Sequence, residues 1–354
     1  MSVTALVGAQ YGSEGKGVVA KHIANHYGVH VRTGGPNAGH SFVHKGKLWK
    51  MQAVPCGWVN PEATIVIGAN AVVNPDLVKH ELTEIAKVDP DIMARVMIDF
   101  RAGVLDQHHH DEEGGVHGDL HDRIGSTGEG VGTSRRDRLM RDPTKSRRME
   151  ALSSDPFFKK LITDSVQFLN AVAAHTAVDV LLEGTQGFGL SLIHGPWPKT
   201  TSADTTAAQL LADAGIAPKH LKKVIMVART MPIRVAGNSG PLQGETSWEE
   251  LSKRLGRPVE ERTTVTRKVR RIGEWDDELV HAAAKVNGAD EIALTFLDYI
   301  NPKDHGVQKF ESLSEEAQSF VERVSTLCSA PVSLMGTGFS ESEGWSCIDH
   351  RLGV

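Results

Sequence analysis

The sequence is poor in cysteine, in aromatic residues and in long apolar runs. Its three cysteines, Cys56, Cys328 and Cys347, are widely spaced among 354 residues, which predicts neither a disulfide framework nor a cysteine-based metal site. No apolar run approaches the roughly 20 residues of a membrane span, and the first residues lack the charged and apolar regions of a signal peptide. We therefore expect a soluble cytoplasmic protein with no membrane partner.

An excess of charge of either sign is also missing. The 39 lysines and arginines stand against 44 aspartates and glutamates, a formal net charge of -5, so we expect no nucleic-acid partner that would need a basic surface. The basic run at residues 262–271, RTTVTRKVRR, lacks aromatic residues for base stacking. Its threonines favour a loop that binds a small anion.

A histidine-rich stretch, HHHDEE at residues 108–113, contains side chains that are common metal ligands. Three adjacent histidines cannot all face one side of a helix or strand, and Gly114 and Gly115 follow directly. We therefore expect a solvated loop here, and no metal site.

Short apolar runs alternate with longer helix-like stretches along the chain. The runs lie at 3–7, 63–67, 178–182, 223–228 and 292–297, and the helix-like patterns at 157–174 and 276–287. Continuous apolar strands between helices are typical of a parallel sheet that is buried on both faces. Since no repeat and no flexible linker divides the chain, we predict one large α/β domain over residues 1–354, with a central, mostly parallel sheet flanked by helices.

Four glycine-rich loops carry most of the chemistry in the sequence. Residues 8–17, GAQYGSEGKG, follow a strand and precede a helix, where backbone N–H groups bind phosphate, although Gly17 replaces the Ser/Thr of a Walker A motif. The loops at 32–41, 125–132 and 184–189 place hydroxyls, amides and an imidazole between glycines. Together they predict a large, polar, phosphate-bearing ligand set.

These segments resemble the adenylosuccinate synthetases, whose opening loop GxxxGDEGKG is matched by residues 8–17 except at one position. The resemblance continues in order along nearly the whole chain. It runs through GGPNAGH (34–40), IGANAVV (67–73), GSTGEGVG (125–132), EGTQG (183–187), TTSADTT (200–206), IRVAG (233–237) and TTVTRKVRR (263–271). It implies the P-loop-related fold of that family, in its compact branch without long insertions.

The resemblance also implies a two-step ligation that forms a C–N bond. A nucleoside triphosphate phosphorylates the 6-oxygen of a purine nucleotide, and the amine of L-aspartate then displaces that phosphate. Phosphoryl transfer needs charge neutralisation and alignment, which suits the implied catalytic residues Ser13, Lys16, His40 and Gln186. Lys16 would hold the phosphates, His40 would act as general acid, and Ser13 and the carbonyl of Gly39 would hold Mg²⁺.

Three sets of binding residues follow from the same resemblance. The triphosphate set is Ser13, Glu14, Gly15, Lys16, Gly17, Gly39, His40, Ser41, Phe296, Asp298, Gly336 and Gly338. The monophosphate set is Ser13, Asn37, Ser126, Thr127, Arg141, Gln186, Thr201, Arg234 and Val235. The aspartate set is Thr264, Val265, Thr266, Lys268 and Arg270. In the family the arginine at the place of Arg141 reaches across a dimer interface, so a homodimer is implied.

Position 13 departs from the family, which has an aspartate there that takes the N1 proton of the purine. The hydroxyl of Ser13 is a far poorer base. Three interpretations follow: a nucleotide-binding pseudoenzyme, an ordinary synthetase that acts on IMP, or an enzyme for another purine. Serine leaves room at the N1/C2 edge, where guanine carries an amino group.

A viral branch of the family, the 2-aminoadenylosuccinate synthetases, carries such a serine and converts dGMP. We interpret the chain as resembling that branch, which implies dGMP as substrate, N6-succino-2-amino-2'-deoxyadenylate as product and a place in the host cytoplasm.

The motif for the donor base departs as well. Family members that use GTP have a TKLD-like motif, whereas residues 295–298 read TFLD. Phe296 removes a hydrogen-bond donor to the guanine carbonyl and adds an aromatic face, which predicts ATP or dATP as the phosphoryl donor. The alternative is that Phe296 only fills the core at the end of a strand.

Overall fold

The computed structural model describes residues 3–114, 118–263 and 268–352. The strands in these ranges are β1 (Val3–Gly8), β2 (Val29–Arg32), β3 (His40–His44), β4 (Lys47–Met51), β5 (Thr64–Ile67), β6 (Val72–Val73), β7 (Val96–Asp99), β8 (Gly103–Val104), β9 (Ile162–Thr163), β10 (Val180–Glu183), β11 (Leu221–Arg229), β12 (Ile233–Arg234), β13 (Arg271–Ile272), β14 (Glu291–Thr295), β15 (Val332–Ser340) and β16 (Gly344–Asp349). The helices are α1 (Lys16–His22), α2 (Pro75–Ala86), α3 (Gln107–Glu113), α4 (Asp119–Ile124), α5 (Val131–Met140), α6 (Ser165–His175), α7 (Ala207–Ala214), α8 (Trp248–Leu255), α9 (Asp277–Asn287) and α10 (Glu315–Cys328).

Ten of the strands form one central sheet in the order β16-β15-β14-β11-β1-β10-β2-β5-β7-β9. Neighbouring strands are parallel throughout, except that β16 runs antiparallel to β15. Each apolar run that predicted a strand coincides with one of these: β1, β5, β10, β11 and β14. The predicted α/β class with a mostly parallel sheet is therefore confirmed.

The central strand β1 is buried on both faces because helices cover both sides of the sheet. Val3, Ala5 and Val7 pack into one apolar cluster with residues of α6, α7, α9 and α10. Leu6 packs into the other cluster, with residues of α1 and α2. Since successive side chains of a strand point to opposite faces, a continuous apolar run is what a doubly covered strand needs.

Of the two predicted helices, the one at 276–287 is confirmed as α9, and the one at 157–174 is shorter than expected. Helix α6 begins at Ser165 because Asp164 caps it, accepting a hydrogen bond from a first-turn backbone N–H at 3.0 Å. The two residues before this cap form β9 at the edge of the sheet. Apolar spacing alone does not distinguish a helix from buried turns.

The histidine-rich stretch is helical, so the prediction of a solvated loop was wrong. Helix α3 contains it, and His109 is fully buried with its Nδ1 accepting a hydrogen bond from the backbone N–H of Asp106 at 2.9 Å. At the other end of α3, the buried Glu113 carboxylate accepts hydrogen bonds from the backbone N–H groups of Gly130 at 2.9 Å and Thr133 at 3.1 Å. These partners are distant in sequence, which explains why the local pattern missed them.

Three of the four glycine-rich loops, those that follow β1, β2 and β10, meet at one edge of the sheet. Strands β1, β2, β10, β11 and β14 are parallel neighbours, so the segments that follow them emerge together at their carboxyl ends. In open α/β sheets this edge is where ligands bind. Within the described ranges, no helix combines the length and the apolar composition needed to cross a bilayer.

Candidate active site

The loop after β1 folds back on itself through left-handed residues. The φ angle is +83° at Gly12, +57° at Ser13 and +95° at Gly15, a region that residues other than glycine seldom adopt. This path turns the Glu14 carboxylate inward, where it accepts hydrogen bonds from the backbone N–H groups of Gln10 at 3.1 Å and Gly12 at 2.8 Å. Ser13 is left exposed at the tip of the loop.

Lys16 is buried at the start of α1 and is held by two acceptors. Its Nζ donates to Glu14 Oε2 at 2.5 Å and to the backbone carbonyl of Gln186. The Glu14 side chain thus braces Lys16 and the loop, so any part that Glu14 has in triphosphate binding falls to its backbone. Residue 14 was predicted from a motif, and a motif does not show which way a side chain turns.

Two cavities lie beside this loop and meet at it. The first has a volume of about 210 Å³ and the second about 520 Å³. Both are lined by Ser13, Lys16, Gly39, His40 and Arg270. A ligand in one cavity therefore lies next to a ligand in the other, which is the placement that group transfer between two ligands requires.

The first cavity brings together all but one of the residues predicted for the monophosphate substrate: Ser13, Asn37, Ser126, Thr127, Gln186, Thr201, Arg234 and Val235. The guanidinium of Arg234 stacks on the ring of Tyr11 at 4.3 Å and donates to the carbonyl of Lys199 at 2.8 Å. Burial lowers the pKa of Arg234 to about 10, so this residue is still a cation at neutral pH.

Arg141 is the predicted monophosphate residue that lies away from the first cavity. It is exposed directly after α5, next to Leu139 and Met140, which are 77 % and 71 % exposed. Two large exposed apolar side chains beside an arginine suit a protein interface. The action of Arg141 across a dimer interface stays a prediction.

The segment predicted to bind aspartate also borders the first cavity. Lys268 and Arg270 line it, and Lys268 Nζ lies 2.9 Å from His121 Nε2. Thr264, Val265 and Thr266 lie outside the described residues. The described part of the segment therefore supplies two cations to the lining of the first cavity, which suits a ligand with two carboxylates such as aspartate.

The second cavity is lined by most of the residues predicted for the triphosphate: Ser13, Gly15, Lys16, Gly17, Gly39, His40, Ser41, Phe296, Asp298 and Gly338. Gly336 is instead covered by Trp345, since a Cβ atom at position 336 would lie 2.5 Å from the indole Nε1. Gly336 thus lets the Trp345 ring pack on β15, and Trp345 itself faces the cavity.

The His40 side chain is hydrogen-bonded to a buried carboxylate, that of Glu183, at the end of β10. Its Nδ1 lies 2.6 Å from Glu183 Oε1, and Arg32 donates to the same oxygen at 2.9 Å. Although burial favours a higher pKa for Glu183, the hydrogen bond from His40 and the charge of Arg32 lower it to about 2. Burial, followed by the charge of Arg32, lowers the pKa of His40 to about 4. The ring is therefore neutral at pH 7, with its proton on Nδ1 and a lone pair on Nε2.

Phe296 both packs on an apolar cluster and borders the second cavity. It adopts a left-handed conformation directly after β14, is half-buried against a small apolar cluster and lines the second cavity. The guanidinium of Arg229 stacks on its ring at 4.0 Å and also donates to the carbonyl of Ser13 at 2.9 Å. Arg229 therefore connects the second cavity to the tip of the first loop.

A family model for adenylosuccinate synthetase matches residues 5–157 and 149–305. The chain belongs to the adenylosuccinate synthetase family. The adenylosuccinate synthetase of Pyrococcus horikoshii is 37 % identical over 336 residues, 94 % of this chain and 95 % of that protein. The enzyme of the same name from Methanocaldococcus jannaschii is 36 % identical over 346 residues, 96 % of this chain and 94 % of that protein.

Solved structures give the same fold. Cyanophage S-2L succinoaminodeoxyadenylate synthetase (PurZ), solved with dGMP and with dATP as an energy donor, matches with a TM-score of 0.80 and 28 % identity over 98 % of this chain and 95 % of PurZ. Fully ligated adenylosuccinate synthetase from Plasmodium falciparum matches with a TM-score of 0.84 and 20 % identity, over 99 % of this chain and 100 % of that one.

The protein is therefore a synthetase that forms a C–N bond between aspartate and a purine nucleotide and consumes a nucleoside triphosphate. The two cavities suit this reaction, because one side of their junction gathers amides and hydroxyls and the other gathers the phosphate-binding loop.

The sequence did not indicate the roles of several residues in the synthetase site. Glu183 lies in a matched motif, yet only the structure shows that it binds His40. Tyr11 is a loop residue whose ring supports Arg234. Arg257 and His305 belong to no matched motif, and both contact Asp298. Their roles depend on contacts between segments far apart along the chain.

Glu113 positions the loop that carries Thr127, and we expect its replacement to weaken binding of the nucleotide acceptor. Glu113→Gln replaces one acceptor oxygen by a donor that faces backbone N–H groups, and a lost charge-assisted bond costs about 1.5–3 kcal/mol. The expected results are an acceptor KM raised about tenfold or more and a lower unfolding temperature. Asp111→Asn, on the exposed side of α3, is the matched control and should change neither, because within the described ranges its side chain only accepts a hydrogen bond from Gln107 of the same helix. An unchanged KM in Glu113→Gln would contradict the positioning role.

Proposed function

We propose that this synthetase joins L-aspartate to dGMP, with ATP or dATP as phosphoryl donor, and releases N6-succino-2-amino-2'-deoxyadenylate. The observation that carries the proposal is Ser13, an exposed serine at the junction of the two cavities where the family has an aspartate. A shorter, uncharged side chain leaves space for the 2-amino group of guanine. The ligands found with PurZ, dGMP and dATP, support the same assignment.

A second candidate is an ordinary synthetase that acts on IMP. The archaeal relatives favour it, because they share 37 % and 36 % of their residues with this chain and are named adenylosuccinate synthetases. Ser13 would be a handicap in such an enzyme, since the position would lack the carboxylate that takes the N1 proton. This is why we place dGMP first.

Magnesium fits the oxygen donors at the junction of the cavities. Ser13 and Gly39 border both cavities, and Mg²⁺ commonly combines one or two protein oxygens with waters and substrate phosphates. In our proposal Ser13 and Gly39 would hold the ion, which supplies charge neutralisation on the phosphates. A site without a carboxylate at position 13 would rely more heavily on the phosphate oxygens.

In the first step, the purine 6-oxygen attacks the γ-phosphorus and the diphosphate leaves. Lys16 neutralises the charge that develops on the phosphates, and Gln186, whose carbonyl fixes Lys16, borders the acceptor. The charge of a bound triphosphate raises the pKa of His40 from about 4, and Glu183 stabilises the imidazolium that forms. His40 then donates through Nε2–H to the transferring group, while the N1 proton leaves through Ser13 to water.

In the second step, the amine of aspartate attacks C6 of the purine and the phosphate leaves with the former 6-oxygen. Lys268 and Arg270 bind the two carboxylates of aspartate at the mouth of the first cavity. The 5'-phosphate of the acceptor binds among Asn37, Thr127 and Thr201, and Arg141 of a second subunit completes this site in a homodimer.

Turnover with three acceptors offered separately tests the proposal. With aspartate, Mg²⁺ and ATP, we expect phosphate release and a succino product, identified by mass, when dGMP is offered. GMP should react more slowly and IMP more slowly still. Turnover with IMP alone would contradict the proposal in favour of the second candidate, and tight dGMP binding without turnover on any acceptor would contradict it in favour of a pseudoenzyme.

A further inference from the structure

An ion pair between a buried aspartate and a partly exposed arginine, on the wall of the second cavity, leaves two polar atoms unsatisfied. Asp298 is 2 % exposed, and its Oδ2 accepts a hydrogen bond from Arg257 Nη2 and lies 3.1 Å from His305 Nδ1. Asp298 Oδ1 and Arg257 Nε are buried and have no hydrogen-bond partner among the described residues. Both side chains line the cavity. Buried polar atoms without partners are rare and costly, so a pair of them beside a cavity indicates a ligand that satisfies both.

We propose that Arg257 and His305 set the base specificity of the phosphoryl donor by occupying one carboxylate oxygen of Asp298. Guanine presents two neighbouring donors, N1–H and the N2 amino group, which a free carboxylate accepts with both of its oxygens. Adenine presents one donor, the N6 amino group, beside one acceptor, N1. With Oδ2 engaged, the ion pair offers one acceptor, Asp298 Oδ1, and one donor, Arg257 Nε, which is the complement of adenine. Guanine can meet the same pair with its N1–H and its 6-oxygen, but its N2 amino group is then left without an acceptor.

Neighbouring residues support this assignment. His305 reaches Asp298 past Gly338, where a Cβ atom would lie 2.8 Å from the imidazole Nδ1, so the glycine is needed for the contact. Phe296 and Trp345 line the same cavity with aromatic faces, on which a base can stack. The side chain of Phe296 also has no hydrogen-bond donor for the 6-oxygen of guanine. Among the described residues, the pair therefore satisfies both groups of adenine and leaves the N2 amino group of guanine without an acceptor.

This inference rests on the proposed use of ATP or dATP, and it is tested with whichever acceptor supports turnover. The donor preference is the ratio of kcat/KM for ATP to kcat/KM for GTP, measured in the wild type, in Arg257→Ala and in the double variant Arg257→Ala/His305→Ala. Calorimetric titration of ATP and of GTP gives a second readout that needs no turnover. Lys253→Ala, which removes an exposed cation from α8, is the matched control.

We expect the wild type to prefer ATP. Arg257→Ala should lower that preference by about tenfold or more, because ATP loses a hydrogen bond to a charged group, and such bonds contribute about 1.5–3 kcal/mol. The double variant should lower it further because it frees both oxygens of Asp298, while Lys253→Ala should leave it unchanged. A purely structural role would lower both donors equally and leave the ratio intact, which would overturn the inference. A wild type that prefers GTP would also overturn it. Turnover with IMP instead of dGMP would refute the proposed acceptor only, because the ATP/GTP ratio of kcat/KM would then be measured with IMP as the acceptor.

Discussion

Replacing Ser13 by aspartate should exchange the acceptor preference of the enzyme. We expect Ser13→Asp to lower kcat/KM for dGMP by about 100-fold, because the carboxylate fills the space of the 2-amino group, and to raise kcat/KM for IMP by at least about tenfold through a restored base. The backbone admits the change, since Ser13 has φ of +57° and aspartate tolerates this region better than most residues. The measurement is kcat/KM for both acceptors.

Ser13→Asn separates size from basicity in the same experiment. Asparagine matches aspartate in size and in its tolerance of the left-handed region, but it cannot take a proton. It should lose activity on dGMP as Ser13→Asp does and gain nothing on IMP. Retained activity on dGMP in both variants would refute the steric part of the account.

The second large effect is expected from Glu183→Gln. Glu183 accepts a hydrogen bond from His40 Nδ1 at 2.6 Å, and a neutral amide in its place cannot stabilise the positive charge that His40 gains when a triphosphate binds. The same change leaves Arg32 buried without its carboxylate. Because the imidazolium of His40 then lacks its stabilising carboxylate, we expect kcat to fall by about 100-fold or more, and the free energy of unfolding to fall by about 3 kcal/mol.

Cys56→Ser is the matched control for Glu183→Gln. The Cys56 thiol donates to Glu183 Oε1 at 3.2 Å, and a serine hydroxyl can make the same bond. This variant should keep kcat within about threefold of the wild type, because the bond from His40 to Glu183 remains. If Glu183→Gln, still folded by its unfolding curve, kept full kcat, Glu183 would have no positioning role.

The sheet and the loops were predictable because their signals are local. A strand buried on both faces has to be apolar throughout, and β1, β10, β11 and β14 all read that way. The loops after β1, β2 and β10 are rich in glycine, which indicates close approach to a ligand. The resemblance to the family then predicted which residues gather in the first cavity, and of the monophosphate set only Arg141 lies elsewhere in the described chain.

Side-chain direction and long-range pairing were not predictable in the same way. The Glu14 carboxylate turns inward because three residues near it are left-handed, and a motif does not contain that information. Helix α3 was missed because partners beyond its own sequence, such as Gly130, hold Glu113 in place. Arg257 lies 41 residues from Asp298, so its ion pair becomes visible only once α8 packs near the end of β14.

The most direct test of the account is a competition between dGMP and IMP in one reaction. Equal, limiting concentrations of the two are incubated with the synthetase, aspartate, Mg²⁺ and ATP, and the two succino products are quantified by mass. While only a small fraction of either acceptor has reacted, the ratio of the two products equals the ratio of the two kcat/KM values, so differences in enzyme quality cancel. The account predicts at least about a tenfold excess of the 2-amino product, since the site has to discriminate by one exocyclic group. An excess of the IMP product would contradict it.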